Sequence, residues 1–285
     1  MFAKENLFIL SQYILPHHFL SRLMGKFTHC ENRIVKNLMI RKISKAYNID
    51  LNDAAEQDIE AYPSFNAFFT RALKPSSRPI AQGSRSIACP ADGYLSQKGR
   101  IREGQIIQAK GFNYSVEALL GGDPERATPF LGGNFATIYL SPRDYHRLHM
   151  PVEGKLREMI HVPGRLFSVN DTTTRHVPNL FARNERVIAL FDTPMGPMAL
   201  VLVGAIFVAS IETVWSGVVT PPTRSKVQVT RYESQDIIIE KGGEMGRFNM
   251  GSTIVVLFGN EATEFSASLH DGSPVKMGEA IGNFL

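Results

Sequence analysis

The bond between Gly251 and Ser252, inside Phe248-Asn-Met-Gly-Ser-Thr253, carries groups able to break it from within. A serine hydroxyl can attack the carbonyl that precedes it, in an N-to-O acyl shift. Glycine on the acyl side tolerates a strained backbone and lets the hydroxyl approach. The resulting ester can lose its acyl part by β-elimination. The dehydroalanine left behind hydrolyses to a pyruvoyl group and ammonia. Read alone, Gly-Ser-Thr also describes an ordinary turn.

Two further groups of residues suit proton transfer. Within Tyr139-Leu-Ser-Pro-Arg-Asp-Tyr-His-Arg-Leu-His-Met-Pro151, His146 and His149 stand three apart, with Arg143 and Asp144 beside them. Histidine moves protons near neutral pH. The same pair could be structural, or could supply two ligands to a metal. No HExxH and no cysteine partner stands nearby to complete a zinc set, so no metal is expected. Asp92, in Cys89-Pro-Ala-Asp-Gly-Tyr94, fits a turn. A carboxylate in a tight turn can also orient a histidine, and Asp92, His149 and Ser252 would fill the three roles of an acid–histidine–serine triad.

The elements that must carry these groups divide into two kinds. Up to about residue 75 the pattern is helical. Phe19, Leu20, Leu23, Met24 and Phe27 recur at helical spacing, as do Ile34, Val35, Leu38, Met39 and Ile43. Seven basic residues (Arg22, Lys26, Arg33, Lys36, Arg41, Lys42, Lys45) face one acid, Glu31, in the same stretch. Such a helix can lie in a membrane interface, and it also describes an ordinary helix with a solvated basic face. A third helix is predicted over Asp50–Leu73, capped by Asn52 or Asp53 and broken or restarted at Pro63. After the linker-like KPSSRPI, short β-branched runs follow: 134–140, 155–161, 186–192, 199–211, 226–231, 236–240 and 253–258. The expected fold is therefore α+β, a helical region over 1–75 before a β-rich catalytic domain over 76–285. KGGEMGRF (241–248), KMGEAIGNF (276–284) and, more faintly, REGQII (102–107) form a weak repeat that resembles the turns of barrel-sandwich biotinyl and lipoyl carrier domains. The Met-Lys-Met tip of a biotin site is missing, so biotinylation is not expected.

A net charge of +4 and a pI near 9.0 permit an anionic partner. Its clustering on amphipathic helices favours a membrane over nucleic acid. No run is apolar for long enough to span a bilayer, and the N-terminus does not read as a signal peptide. Cys30 and Cys89 belong to no CxxC pair and read as free thiols in a reducing compartment.

FNAFFTR (65–71), PADG (90–93), YHRLHMP (145–151), VPGRLFSVN (162–170), NLFARNERV (179–187), VASIETVW (208–215) and FNMGST (248–253) occur in one order. In that combination the chain resembles bacterial phosphatidylserine decarboxylase. Arg165 stands where the resemblance implies a variable, often acidic residue, and is assigned no role. The resemblance implies self-cleavage at 251/252 into a large subunit, 1–251, and a small one, 252–285, with Ser252 becoming the pyruvoyl cofactor. It implies that Asp92 and His149 act with Ser252 in cleavage, and that His146 serves decarboxylation as proton donor. Phosphatidylserine in an anionic membrane would react as a Schiff base and lose CO₂ to give phosphatidylethanolamine. The enzyme would be peripheral to the cytoplasmic face of the membrane, with room for a homodimer. The chief rival is a serine hydrolase using Asp92, His149 and Ser252 without self-cleavage, although Ser252 lacks the GxSxG elbow. A carrier module, suggested by the VKMGEAIG turn alone, is a third reading.

Overall fold

Three helices open the chain: α1 (Phe2–Ile14), α2 (His17–Thr28) and α3 (Arg33–Tyr47). The computed structural model describes residues 2–109, 111–207, 210–221, 226–259 and 263–285. The Asn32 side chain accepts from the N–H groups of Ile34 and Val35 and starts α3, and Asn48, in the left-handed region at φ 51°, ends it. Apolar residues at helical spacing thus formed α2 and α3 as expected.

The helix predicted over Asp50–Leu73 does not form. Asp50 Oδ1 accepts from Asn52 N–H, Glu56 Oε1 from Asp58 N–H and Asp58 Oδ1 from Glu60 N–H. These local side-chain bonds give the backbone turns instead of a helix, and Pro63 lacks a donor. Only α4 (Phe65–Phe69) is helical, capped by Ser64. Phe65, Phe68 and Phe69 pack there with Tyr62 and Ile40 in a small core of their own, against which Met250 lies.

The rest is strand-rich, and among the described residues no sheet closes into a barrel. The α+β expectation holds. A nine-stranded antiparallel sheet dominates, in the order Gln228–Arg231, Gly154–Val162, Arg186–Thr193, Gly196–Val203, Thr253–Phe258, Asn134–Tyr139, Gly93–Arg100 and Pro274–Val275, with Ile238–Ile239 also paired to Gly154–Val162. Six of the seven runs read as strands therefore lie in this sheet. The seventh, 199–211, is split: its first part belongs to Gly196–Val203, Val208 and Ala209 lie outside the described residues, and Ile211 begins a strand of a different sheet. Every residue of Thr253–Phe258 is buried. It pairs with Gly196–Val203 on one side and Asn134–Tyr139 on the other.

The repeated glycine-containing segments enter three separate sheets, through Gln105–Ala109, Glu244–Phe248 and Ala280–Phe284. Each is preceded by a left-handed glycine, at φ 69° for Gly104, 80° for Gly242 and 88° for Gly278. The shared sequence is shared turn geometry.

The helices dock on the segment 164–168. Gln12 Oε1 accepts from Ser168 N–H, His18 Nε2 bonds Gly164 O, and Arg165, given no role by sequence, donates to Tyr13 O and lies over the Phe167 ring. No described helix is long and apolar enough to cross a membrane.

Candidate active site

Two anchors hold the chain on either side of the Gly251–Ser252 bond. Upstream, Phe248 N–H donates to His146 O at 3.0 Å and Asn249 N–H to Ser210 O at 2.9 Å. The Asn249 side chain donates to Ser210 Oγ and accepts from Asn66 Nδ2. Downstream, Leu140 N–H donates to Ser252 O at 2.8 Å, and Thr253 opens the central strand. Between the anchors Met250 sits at φ 125°, where a residue with a Cβ is strained. Gly251 admits no side chain: a Cβ there would lie 2.6 Å from His146 Nε2 and 3.1 Å from Leu140 O. Ser252 is fully buried, and its hydroxyl donates to Val203 O.

His146 is thus the histidine set against this bond. Its Nδ1 is 2.8 Å from Asp144 O, a carbonyl that can only accept, so Nδ1 carries the proton and Nε2 the lone pair. Nε2 is buried without a partner. The ring packs on Phe69 with centroids 4.0 Å apart. Burial, and then the nearby Arg71 charge, push its pKa down to about 3, so the imidazole is neutral throughout the physiological range.

His149 is occupied at both nitrogens. Nδ1 donates to Gly242 O at 2.8 Å, which leaves Nε2 to accept from the Tyr145 hydroxyl at 2.9 Å. Burial is the main cause that lowers its pKa. The His149 N–H donates to Pro90 O, which ties the Asp92 turn to this strand. Asp92 itself takes a fork from Arg78, with Nε to Oδ1 at 2.9 Å, and accepts from Met277 N–H at 2.8 Å. Arg78 reaches on to Asp53. Among the described residues no hydrogen bond joins Asp92 to His149, or either histidine to the Ser252 hydroxyl. The structure brings His146 to Gly251. It sets Asp92 and His149 on adjoining segments, each with other partners.

A cavity of about 560 Å³ runs from α1 and α2 to this point. Phe8, Leu15, Met24, Phe65 and Phe69 line it, and it ends at Met250 and Gly251. A large, mainly apolar recess ending at the Gly251–Ser252 segment suits a substrate with a hydrocarbon part. The surroundings also fit the group expected from Ser252: an apolar recess, a fully buried serine and an unpartnered imidazole nitrogen against Gly251.

Sequence reading passed over three residues of this site. Tyr145 and Arg71 lay inside quoted motifs without a role, and Arg78 was taken as linker. None of the three is marked by its near neighbours: Arg78 meets Asp92 14 positions away, Arg71 meets Arg143 O 72 positions away, and the Tyr145 hydroxyl shows its use only in its bond to His149 Nε2. Among the described residues no cluster of acidic, histidine and cysteine side chains could hold a metal.

Comparison with known proteins points one way. A family model described as phosphatidylserine decarboxylase matches residues 65–283, and one described as PSD matches 7–48. The phosphatidylserine decarboxylase proenzyme of Ectopseudomonas mendocina is 56% identical over 283 residues, covering 98% of this chain and 99% of its own. That of Pseudomonas fluorescens is 57% identical over 282 residues, covering 98% of each chain. That of Pseudomonas aeruginosa strain LESB58 is 57% identical over 284 residues, covering 99% of this chain and 98% of its own.

Proposed function

The chain belongs to the phosphatidylserine decarboxylase family, and from that premise we propose that it cuts itself between Gly251 and Ser252 and converts Ser252 into a pyruvoyl group. It decarboxylates phosphatidylserine to phosphatidylethanolamine and is processed from a single proenzyme chain. The observation that carries the choice of bond is the strained Met250–Gly251 link, held at both ends with an unpartnered imidazole nitrogen against it. Breaking the chain there releases the strain at Met250. A denaturing mass measurement of the purified protein tests it: two chains, 1–251 and a Ser252-derived small chain, are expected. An active enzyme found as one intact chain overturns the proposal.

For cleavage, the Ser252 hydroxyl must turn from Val203 O toward the Gly251 carbonyl carbon while a base takes its proton. We assign that base to His149, with Asp92 supporting it and the Tyr145 hydroxyl bonded to its Nε2. The neutral Nδ1–H tautomer, fixed by Gly242 O, leaves Nε2 basic. The ester that forms breaks at the Ser252 Cβ–O bond when the Ser252 Cα proton is removed, and Gly251 leaves as a carboxylate. Hydrolysis of the dehydroalanine releases ammonia.

The pyruvoyl ketone, once made, supplies an electron sink for the charge left on the substrate carbon when CO₂ departs. The chain's own residues supply the rest. His146 Nε2 is the nitrogen placed to return a proton. In the uncut chain it is a free base, yet the cut leaves a carboxylate at Gly251 beside it, and a neighbouring negative charge favours the protonated imidazole. The apolar cavity excludes water from the reacting centre. A second reading rests on one observation: in the uncut chain it is His146, not His149, whose free lone pair faces Gly251, so His146 would be the cleavage base.

Residues 1–75 form, in this proposal, the membrane-associating region, and 76–285 the catalytic domain. Leu7, Leu10, Ile14, Phe19, Phe27 and Ile34 are all more than half exposed on α1, α2 and α3, with Ile34 at 79%. An apolar surface of that extent marks an interaction site. Three of the seven basic residues already have partners within the protein: Arg33 and Arg41 pair with the Glu60 carboxylate and Lys36 donates to Glu60 O. Apolar insertion rather than charge should therefore dominate. Triple replacement, Ile14→Glu with Phe19→Glu and Ile34→Glu, should abolish flotation with anionic liposomes. Raising salt past physiological strength, where charges are screened beyond about 8 Å, should weaken wild-type flotation only in part. Undiminished flotation of the triple variant would place attachment elsewhere.

A further inference from the structure

We propose that Arg71 binds the phosphodiester of the substrate headgroup. The inference rests on the phosphatidylserine reading above and adds to it the residue that holds the lipid's permanent anion.

Arg71 is 5% exposed. Its Nη2 donates to Arg143 O at 3.0 Å, while Nε and Nη1 are buried with no partner. Among the described residues it makes no ion pair. A buried guanidinium left with two idle donors is costly, and natural chains avoid it unless an anion arrives. The other arginine that is buried, Arg186, and three that are partly buried show the contrast. Arg186, 2% exposed, donates to Leu119 O, Ala182 O, Asn184 O and Ala118 O. Arg78 holds Asp92 and Asp53, Arg126 holds Asp123 and Glu158, and Arg147 holds Glu244. Those arginines are saturated by the fold. Arg71 is not.

Its position gives the vacancy a purpose. Arg71 follows α4, whose Phe65 and Phe69 line the cavity that ends at Gly251, and Phe69 lies on His146. The guanidinium is near enough for its charge to bear on His146. The carboxylates around it, Asp92 and Asp144, are engaged elsewhere, with Arg78 and Met277 N–H for the first and Ser141 N–H for the second.

Two anions of the substrate could meet a guanidinium fork, the serine carboxylate and the phosphate. A strong bond to the carboxylate would stabilise the ground state and be lost as CO₂ leaves, which slows the step. The phosphate keeps its charge throughout. Arg71 on the phosphate anchors the headgroup without opposing the reaction.

The test uses the full-length, self-processed enzyme and its Arg71→Gln and Arg71→Lys variants, each checked on a gel for cleavage. Calorimetric titration with glycerophosphocholine reads the phosphodiester without a carboxylate or a reactive amine. Betaine reads a carboxylate without a phosphate. Arg71→Gln should weaken glycerophosphocholine binding by about 10- to 100-fold, as loss of a charged hydrogen bond does. KM for phosphatidylserine should rise in step while kcat changes little. Arg71→Lys, which keeps the charge but not the fork, should fall between, and it carries the test alone if the glutamine variant does not fold. Weakened betaine binding with intact glycerophosphocholine binding would overturn the proposal, because Arg71 would then hold the carboxylate. Unchanged binding of both would also overturn it and leave Arg71 a structural residue. Failure of the wild type to cut itself or to form phosphatidylethanolamine would instead refute the underlying reading.

Discussion

Ser252→Ala should be recovered as one uncut chain of full length, with decarboxylase activity at the background of the assay. Without the hydroxyl no acyl shift can begin, and without the shift no ketone is made, so one atom removes both cleavage and catalysis. The variant should fold. Ser252 is buried and the change subtracts an oxygen, losing its hydrogen bond to Val203 O at a net cost of about 0.5–1.5 kcal/mol. Mass spectrometry under denaturing conditions should show a single species for the variant. The wild type should give two, the smaller one blocked to Edman degradation. A Ser252→Ala protein that is cut, or that retains activity, would move the reactive bond away from this site.

His149→Ala and His146→Ala should fail in different ways. His149→Ala should remain uncut or process very slowly, because the serine hydroxyl is a poor nucleophile until its proton is taken. His146→Ala should process and carry the ketone, yet lose about 10²- to 10⁴-fold in turnover for want of a placed proton donor. A gel for cleavage run beside an assay for phosphatidylethanolamine separates the two. The reverse pattern, His146→Ala uncut and His149→Ala processed normally, would assign cleavage to the lone pair that faces Gly251 in the precursor. Equal loss of soluble protein in both would make the two histidines structural.

The sequence was most legible where one residue's type settles its surroundings. Thr253–Phe258 is apolar at nearly every position because both faces and both edges of that strand are covered, and the run announces this without help. Gly251 before Ser252 is readable from the chemistry of an acyl shift, although the fold adds a second reason that is not local: no Cβ fits against His146. The segment 50–63 misled because its apolar spacing resembles a helix, while the aspartate and glutamate side chains that prevent one act over only two residues. The histidines were found as a pair, but which nitrogen of each carries the proton depends on Gly242 O, Asp144 O and the Tyr145 hydroxyl. Arg71 is the furthest case. Its importance lies in partners it lacks, and a missing partner leaves no mark in a string of residues.

The central strand also sets an order of events for the life of the molecule. Ser252 heads a segment that pairs with Gly196–Val203 on one side and Asn134–Tyr139 on the other, and the strand Ala280–Phe284 ties the C-terminus to Ser86–Ala88. The anchors that bend Met250 exist only once these partners have assembled, so a chain that has not folded has no means to cut itself. With the proposed cut at Gly251–Ser252, processing would record successful folding, and a misassembled copy would stay whole and without its ketone. The record cannot be rewritten. A mature enzyme that is denatured yields two separate polymers, and rebuilding the sheet from them is a second-order reaction, dependent on concentration, where the first assembly needed one molecule alone.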